Sequence, residues 1–307
     1  MKNMVCVVCA VSMIMMFTNA HATDIYSKAG SKGLSFLKIG LGARAGALGE
    51  SYVAVANDAT SALWNPAGLC DVEGKDVLFS HNQWFEDIRS EYVGTAMRFG
   101  KNGFGLGLVL NSVSDIEHRA AQTGTLVGLF NAYDVALVGA YGRQVREDLD
   151  LGLSLKLLYE KMYVYSSSGL AVDFGTRYHP PVENLTVAAV IQNVGNMSAM
   201  RDEKISLPLT VKAGLAYVLE AEPLHGGLLL LVDVSKASDY RATVHTGLEY
   251  TFDRRFALRS GYLFGHDDRG LSAGVGLVFR TYRLDYAYIP FDYDLGDTHR
   301  LTFGISL

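Results

Sequence analysis

The 307-residue chain carries 27 Lys and Arg against 32 Asp and Glu, a net charge of −5 that offers no basic footprint for nucleic acid. Hydrophobic residues make up 49% of it, yet beyond residue 22 no apolar stretch reaches the roughly 20 residues a spanning helix needs. A chain of this kind enters a bilayer only as a closed barrel, because nothing in lipid satisfies an open sheet edge.

The first 22 residues read as an export signal. Lys2 supplies the positive start, Met4 to Phe17 is the apolar run, and Ala20-His21-Ala22 is an A-x-A cleavage site, so the mature chain is expected to begin at Thr23. Cys6 and Cys9 leave with the signal. Cys70 then stands alone, which excludes an internal disulfide and suits a small apolar residue packed beside its neighbours. Only six prolines and no linker-like run argue for one closed unit rather than two domains.

The stretch Ala43–Leu69 is rich in small residues and weakly helical. Ala47, Val53, Ala56 and Ala59 are spaced roughly as one apolar helix face, and Asn57 and Asp58 can cap a second short turn. Asn65-Pro66 stops any helix, because proline biases the residue before it away from the helical region. Everything that follows alternates, so residues 23–75 read as a plug and residues 76–307 as a barrel.

Alternation marks about fourteen strands. They are Val77–Phe85, Arg89–Phe99, Gly103–Val113, Asn131–Gln144, Leu149–Tyr159, Gly169–Tyr178 and Leu185–Asn193 in the first half. Leu207–Val218, Gly227–Val234, Tyr240–Phe252, Phe256–Phe264, Leu271–Arg280, Tyr282–Ile289 and Thr298–Leu307 complete the set. The even number lies in the range of bacterial outer-membrane barrels. Each strand has one apolar face, such as Leu151, Leu153, Leu155 and Leu157, and one of small or charged residues, such as Gly152, Ser154 and Lys156. A soluble sheet buries the apolar face; a membrane barrel turns it outward.

Aromatics at strand ends (Tyr133 and Tyr141, Phe256 and Phe264) and connections of alternating length favour the outward arrangement. Gly100–Asn102 and Asp253–Arg255 are tight, whereas Ser114–Phe130, Gly195–Ser206 and Pro290–Asp297 are long and polar. The turns at His179–Asn184 and Leu219–Gly226 are less tight than the pattern asks. The last strand ends on Leu307, where barrels handled by the barrel-assembly machinery usually carry an aromatic residue.

No catalytic constellation is visible. Gly40-Leu41-Gly42 with Gly46 lacks the spacing of a dinucleotide loop and no parallel βαβ unit follows; H-E-x-x-H and P-loop motifs are absent. The histidines are scattered without ligand spacing, so no metal or cofactor is expected, and His245 reads as a hydrogen-bond partner in the lumen. The inward charges are balanced in sign and should pair across the lumen and against the plug, since an unpaired buried charge is costly. Arg177, Lys212 and Arg241 are the candidates for holding a ligand's carboxylate head group. The segment Asp115–Phe130, with Ile116, Leu126, Val127, Leu129 and Phe130, is expected to cover an apolar external groove.

The pattern Gly42-Ala43-Arg44-Ala45, Ala47-Leu48-Gly49, Tyr52-Val53-Ala54, Asn57-Asp58-Ala59 and Trp64-Asn65-Pro66-Ala67-Gly68-Leu69 resembles the N-terminal hatch of the PorV/PorQ proteins and their FadL long-chain fatty-acid transporter relatives. The resemblance implies an outer-membrane barrel of about fourteen strands whose hatch, through Trp64, Asn65, Pro66, Ala67 and Gly68, gates passive uptake of fatty acids or similar hydrophobic molecules. It also implies a lateral opening on the third strand, where Gly103, Gly105 and Gly107 lie. The other role known in this family is that of PorV, a non-enzymatic barrel that holds a protein of a secretion system. An exported soluble β-protein and an outer-membrane enzyme are the remaining, less favoured readings.

Overall fold

The computed structural model describes residues 28–84, 88–121, 124–221 and 226–307, so the expected signal segment lies outside it. The first seven barrel strands are β1 (Lys75–Gln83), β2 (Ile88–Phe99), β3 (Asn102–Arg119), β4 (Leu126–Arg146), β5 (Leu149–Met162), β6 (Tyr165–Tyr178) and β7 (Leu185–Met197). The second seven are β8 (Thr210–Ala221), β9 (Gly226–Ala237), β10 (Ala242–Phe252), β11 (Phe256–Phe264), β12 (Leu271–Phe279), β13 (Tyr282–Pro290) and β14 (Asp297–Ser306). Neighbours pair antiparallel, and β1 closes on β14 from Asp76 opposite Ser306 to Gln83 opposite His299. Closure leaves no edge for another chain to extend.

The faces are inverted relative to a soluble sheet. Phe79, Leu106, Leu155, Phe174, Leu258 and Phe279 are exposed on the outside, whereas Asp76, Lys156, Asp233, Glu249, Arg259 and Arg300 are buried inside. An apolar exterior around a polar, filled lumen is the pattern of a transmembrane barrel. Among the described residues, no helix is long and apolar enough to cross a membrane.

The long connections correct the sequence expectation. Asp115–Phe130 is no loop: β3 and β4 keep pairing through Ile116 opposite Phe130 as far as Arg119 opposite Leu126. The polar pair Ser114-Asp115, which looks like a strand end, is absorbed by a register shift between Val113 and Ile116 with Asp115 at φ 59°. At 18 and 21 residues these strands exceed the 9–11 needed to cross, so their hairpin stands above the bilayer. β5 and β6 likewise run on to Met162 and Tyr165 and turn through Tyr163 and Val164. In the other direction, Leu207–Leu209 and Tyr240–Arg241 fall outside the ladder. Pro208 has no N–H to donate there.

The hatch contains a 3₁₀ turn at Ser35–Lys38, helices α1 (Ala43–Ala47) and α2 (Ser61–Trp64), and a second 3₁₀ turn at Pro66–Asp71. The expected single helix face through Ala47, Val53, Ala56 and Ala59 is absent, although all four are fully buried. The chain turns at Gly49 and Glu50, both at positive φ, because the barrel wall supplies partners that a helix would have supplied internally. The Gly49 N–H donates to Ser272 Oγ at 3.0 Å, and the Tyr52 and Val53 N–H groups donate to Asp233 at 2.8 and 2.9 Å. Asp58 does act at the start of α2, accepting the Thr60 N–H at 2.9 Å. The apolar core lies between hatch and wall, with Phe36, Leu69, Tyr92, Val109 and Leu158 in one cluster.

Candidate functional site

The segment Trp64–Gly68 is the seat of the hatch. Trp64 Nε1 donates to the Leu41 carbonyl at 2.9 Å, and its ring meets Tyr52 edge-on at 5.6 Å. Asn65, fully buried, donates to the carbonyls of Val53 (3.0 Å) and Thr176 (3.2 Å) and accepts from the Ala67 N–H (3.2 Å), tying two hatch strands of chain to the wall. Pro66 opens the following 3₁₀ turn, where its missing N–H costs nothing.

The third-strand glycines face this seat. A Cβ on Gly103 would fall 2.2 Å from the Leu69 carbonyl oxygen, one on Gly105 3.1 Å from the Leu69 side chain, and one on Gly107 2.8 Å from the Tyr92 ring. Close approach of the hatch backbone therefore requires glycine at position 103, whereas Gly105 meets a side-chain tip and Gly107 makes room for a ring of the neighbouring strand. The ladder from β3 to β2 and β4 runs unbroken through all three.

Charges pair as the balanced composition requires. Arg44 of the hatch grips Glu249 with two bonds of 2.8 and 2.9 Å, and Arg259 bridges Glu249 (2.5 Å) to Asp285 (2.7 Å). Glu50 receives Arg269 at 3.1 Å and Arg300 at 3.0 Å. Burial alone would raise its pKa, but the guanidinium groups of Arg269 and Arg300 hold the carboxyl well below the usual carboxylate range. Burial, reinforced by Asp58, raises the Tyr52 phenol, and burial pushes the Cys70 thiol up to about 12. His245 donates from Nδ1 to the Gly49 carbonyl at 2.8 Å while Nε2 meets Thr243 Oγ1 at 2.9 Å, the lumen role its sequence position suggests.

Between the hatch and the external rim lies a cavity of about 330 Å³. Leu37, Ile39, Trp84, Leu263 and Phe291 supply apolar lining, and Lys212, Gln192, Glu50, Asp268 and Arg269 are among its polar and charged groups. The volume is at the lower end of small-molecule sites. The three cationic candidates are separated by the structure. Lys212 on β8 points into the cavity; Arg241 lies at its rim, donating to the Gly265 carbonyl at 2.5 Å and ion-paired with Asp267. Arg177 is at the opposite end of the barrel, ion-paired with Asp71 and bonded to the Ala56 carbonyl. Among the described residues Lys212 has no ion-pair partner, and its Nζ sits 4.5 Å from the centroid of the Trp64 ring. Lys212 thus links the cavity to the hatch.

Two contacts escaped the sequence. Lys38 reaches Asp239 at 2.6 Å, pinning the start of the hatch to the rim, and Arg269 joins Glu50 across 219 residues of chain. Both residues sit in segments without alternation, so no periodic signal marks them.

Comparisons with known proteins fit this geometry. No curated protein matches the chain. Among solved structures, the Pseudomonas putida toluene transporter TodX aligns with a TM-score of 0.67 at 12% identity, covering 87% of this chain and 99% of that one. The CymD monoaromatic hydrocarbon channel aligns with a TM-score of 0.61 at 12% identity, covering 87% and 96%. At such identities the likeness establishes the fold, a closed fourteen-stranded outer-membrane barrel. A family model described as "Uncharacterised protein family (UPF0164)" matches residues 7–207, well over half of the chain, and the protein therefore belongs to that family.

Proposed function

We propose that this barrel admits hydrophobic small molecules across the outer membrane, and that it favours those with a carboxylate, of the fatty-acid class. The observation that carries the reading is Lys212, a cation without an ion-pair partner among the described residues, set in a cavity of mixed apolar and polar lining beneath the external rim. Transfer of apolar surface from water supplies about 0.8 kcal/mol per buried methylene, and the ammonium supplies a charge-assisted bond to the head group. TodX, a toluene transporter, and CymD, a monoaromatic hydrocarbon channel, support an apolar cargo, as does the FadL-like hatch motif. Passage requires Trp64–Gly68 to shift, after which the cargo leaves sideways past Gly103, Gly105 and Gly107. No bond is made or broken, so the protein acts as a channel and not as an enzyme.

The test is mass spectrometry of whatever co-purifies with the protein in mild detergent, against an unrelated barrel prepared alongside. Selective enrichment of a fatty acid supports the reading. Enrichment of neutral hydrocarbon alone removes the role given to Lys212.

A second reading, a PorV-type secretion partner, draws on the tall external hairpins, which expose Leu126, Val127, Leu129 and Val164. It predicts an empty cavity and a protein partner held in fixed proportion.

A further inference from the structure

The barrel end with the short turns holds a group of side chains that the lumen network does not absorb. Asp71 ends the Pro66–Asp71 turn of the hatch, Asp150 is the second residue of β5, and His179 follows the last residue of β6. One carboxylate oxygen from each aspartate and one imidazole nitrogen lie within 4.8 Å of one another. His179 Nε2 is 3.7 Å from Asp150 Oδ2, too far for a hydrogen bond.

Asp150 is the telling member. It is 1% exposed, and neither carboxylate oxygen has a hydrogen-bond partner among the described residues. The other lumen acids as deeply buried are answered, among them Glu50 and Glu249 by arginines, Asp173 by Lys156 at 2.7 Å, and Asp233 by two backbone N–H groups. A buried carboxylate left without a partner is costly unless it is paired or ligates a metal.

We propose that Asp71, Asp150 and His179 bind one divalent transition cation of the Zn²⁺ type, which clamps the end of the hatch to the barrel wall. One imidazole nitrogen and two carboxylate oxygens form a donor set suited to Zn²⁺, with a fourth position for water. Bonds of about 2.1 Å in a tetrahedral site bring donors to roughly 3.4 Å apart, so the three need only small side-chain rotations. The Asp71 side chain is 37% exposed and has the freedom for that movement. Arg177, ion-paired with Asp71 Oδ2, orients that carboxylate as outer partners do in metal sites. Histidine spacing along the chain gives no sign of the group, because its members come from the hatch, a strand start and a turn. The cation makes departure of the hatch from this end depend on metal occupancy. This inference does not rest on the cargo assigned to the external cavity.

The full chain, stripped with chelator in detergent, should take up one Zn²⁺ per chain in equilibrium dialysis read by elemental mass spectrometry. Asp150→Asn, nearly isosteric, should weaken uptake by more than roughly 100-fold, beyond the range seen on loss of an outer partner. His179→Gln, in a turn outside the ladder, should do the same in a barrel shown folded by its heat-modifiable mobility in gels. Cys70→Ala should leave the affinity unchanged. Absence of saturable uptake, or uptake by Asp150→Asn and His179→Gln equal to that of the unaltered chain, as scattered surface histidines would give, overturns the proposal.

Discussion

Arg300 on the last strand and Glu50 in the hatch meet at 3.0 Å, 250 residues apart in sequence, the arginine wholly buried and the glutamate 8% exposed. Arg300 also donates to the Gly40 carbonyl at 2.7 Å, so one side chain on the strand that closes the barrel holds two points of the plug. Removing Arg300 leaves the buried Glu50 carboxylate with Arg269 alone, at a cost below the roughly 3–5 kcal/mol of a fully unpaired charge. Arg300→Met should therefore loosen the hatch while the barrel stays closed. Cys70, fully buried in the seated hatch, should react faster with a maleimide in that variant. The double variant with Glu50→Gln should be less mobile than the sum of the single changes, because both changes remove the same Arg300–Glu50 contact.

Glu50 also sets an acid limit. Its carboxyl is held below the ordinary range in the folded state, so its contribution is fully present above the unfolded value of about 4.3 and is lost as pH falls from there through the folded value. Hatch seating, followed by resistance to protease, should be constant from neutrality to about pH 5 and weaken on further acidification. Glu50→Gln should flatten that part of the profile.

Asn65 concentrates three hydrogen bonds at one buried position, two of them to carbonyls of different segments. Asn65→Ala leaves the Val53 and Thr176 carbonyls without that partner, at roughly 1–3 kcal/mol. The strands do not depend on these bonds, so the variant should keep its heat-modifiable mobility while its Cys70 becomes accessible. A variant with normal uptake and a mobile hatch would separate the hatch from the transport step.

Gly152 on β5 admits the Pro66–Ala67 backbone: a Cβ there would lie 2.2 Å from the Ala67 nitrogen. Neither atom belongs to a flexible side-chain tip. Gly152→Val should displace the hatch more than Asn65→Ala does, with faster Cys70 labelling as the measure.

Lys212 distinguishes cargo classes. Lys212→Met keeps the stem and removes the charge, and a lost charge-assisted bond of about 1.5–3 kcal/mol corresponds to roughly 10- to 150-fold. Affinity for a carboxylated chain should fall by that factor, while that for a neutral hydrocarbon of equal length should hold. Equal losses for both would place Lys212 in packing rather than recognition.

Period-two alternation is a property of neighbouring residues and gave the strand number of this protein, while the aromatics at strand ends and the alternating connection lengths gave the apolar exterior. The plug, too, was legible in the small residues before Asn65-Pro66, and His245 in its place between inward charges. Partner choice was not, because it depends on barrel register and on the path of the hatch through the lumen. Arg177, Lys212 and Arg241 share one pattern in the sequence, yet only the closed barrel sends Arg177 to Asp71, Arg241 to Asp267 and Lys212 to an open cavity. Likewise Ser114-Asp115 reads as a loop until its neighbours pair across the bulge, and Asp71, Asp150 and His179 become one group only when the hatch is seated. Contacts between segments far apart in the chain carry no local signal, so tertiary structure alone decided them.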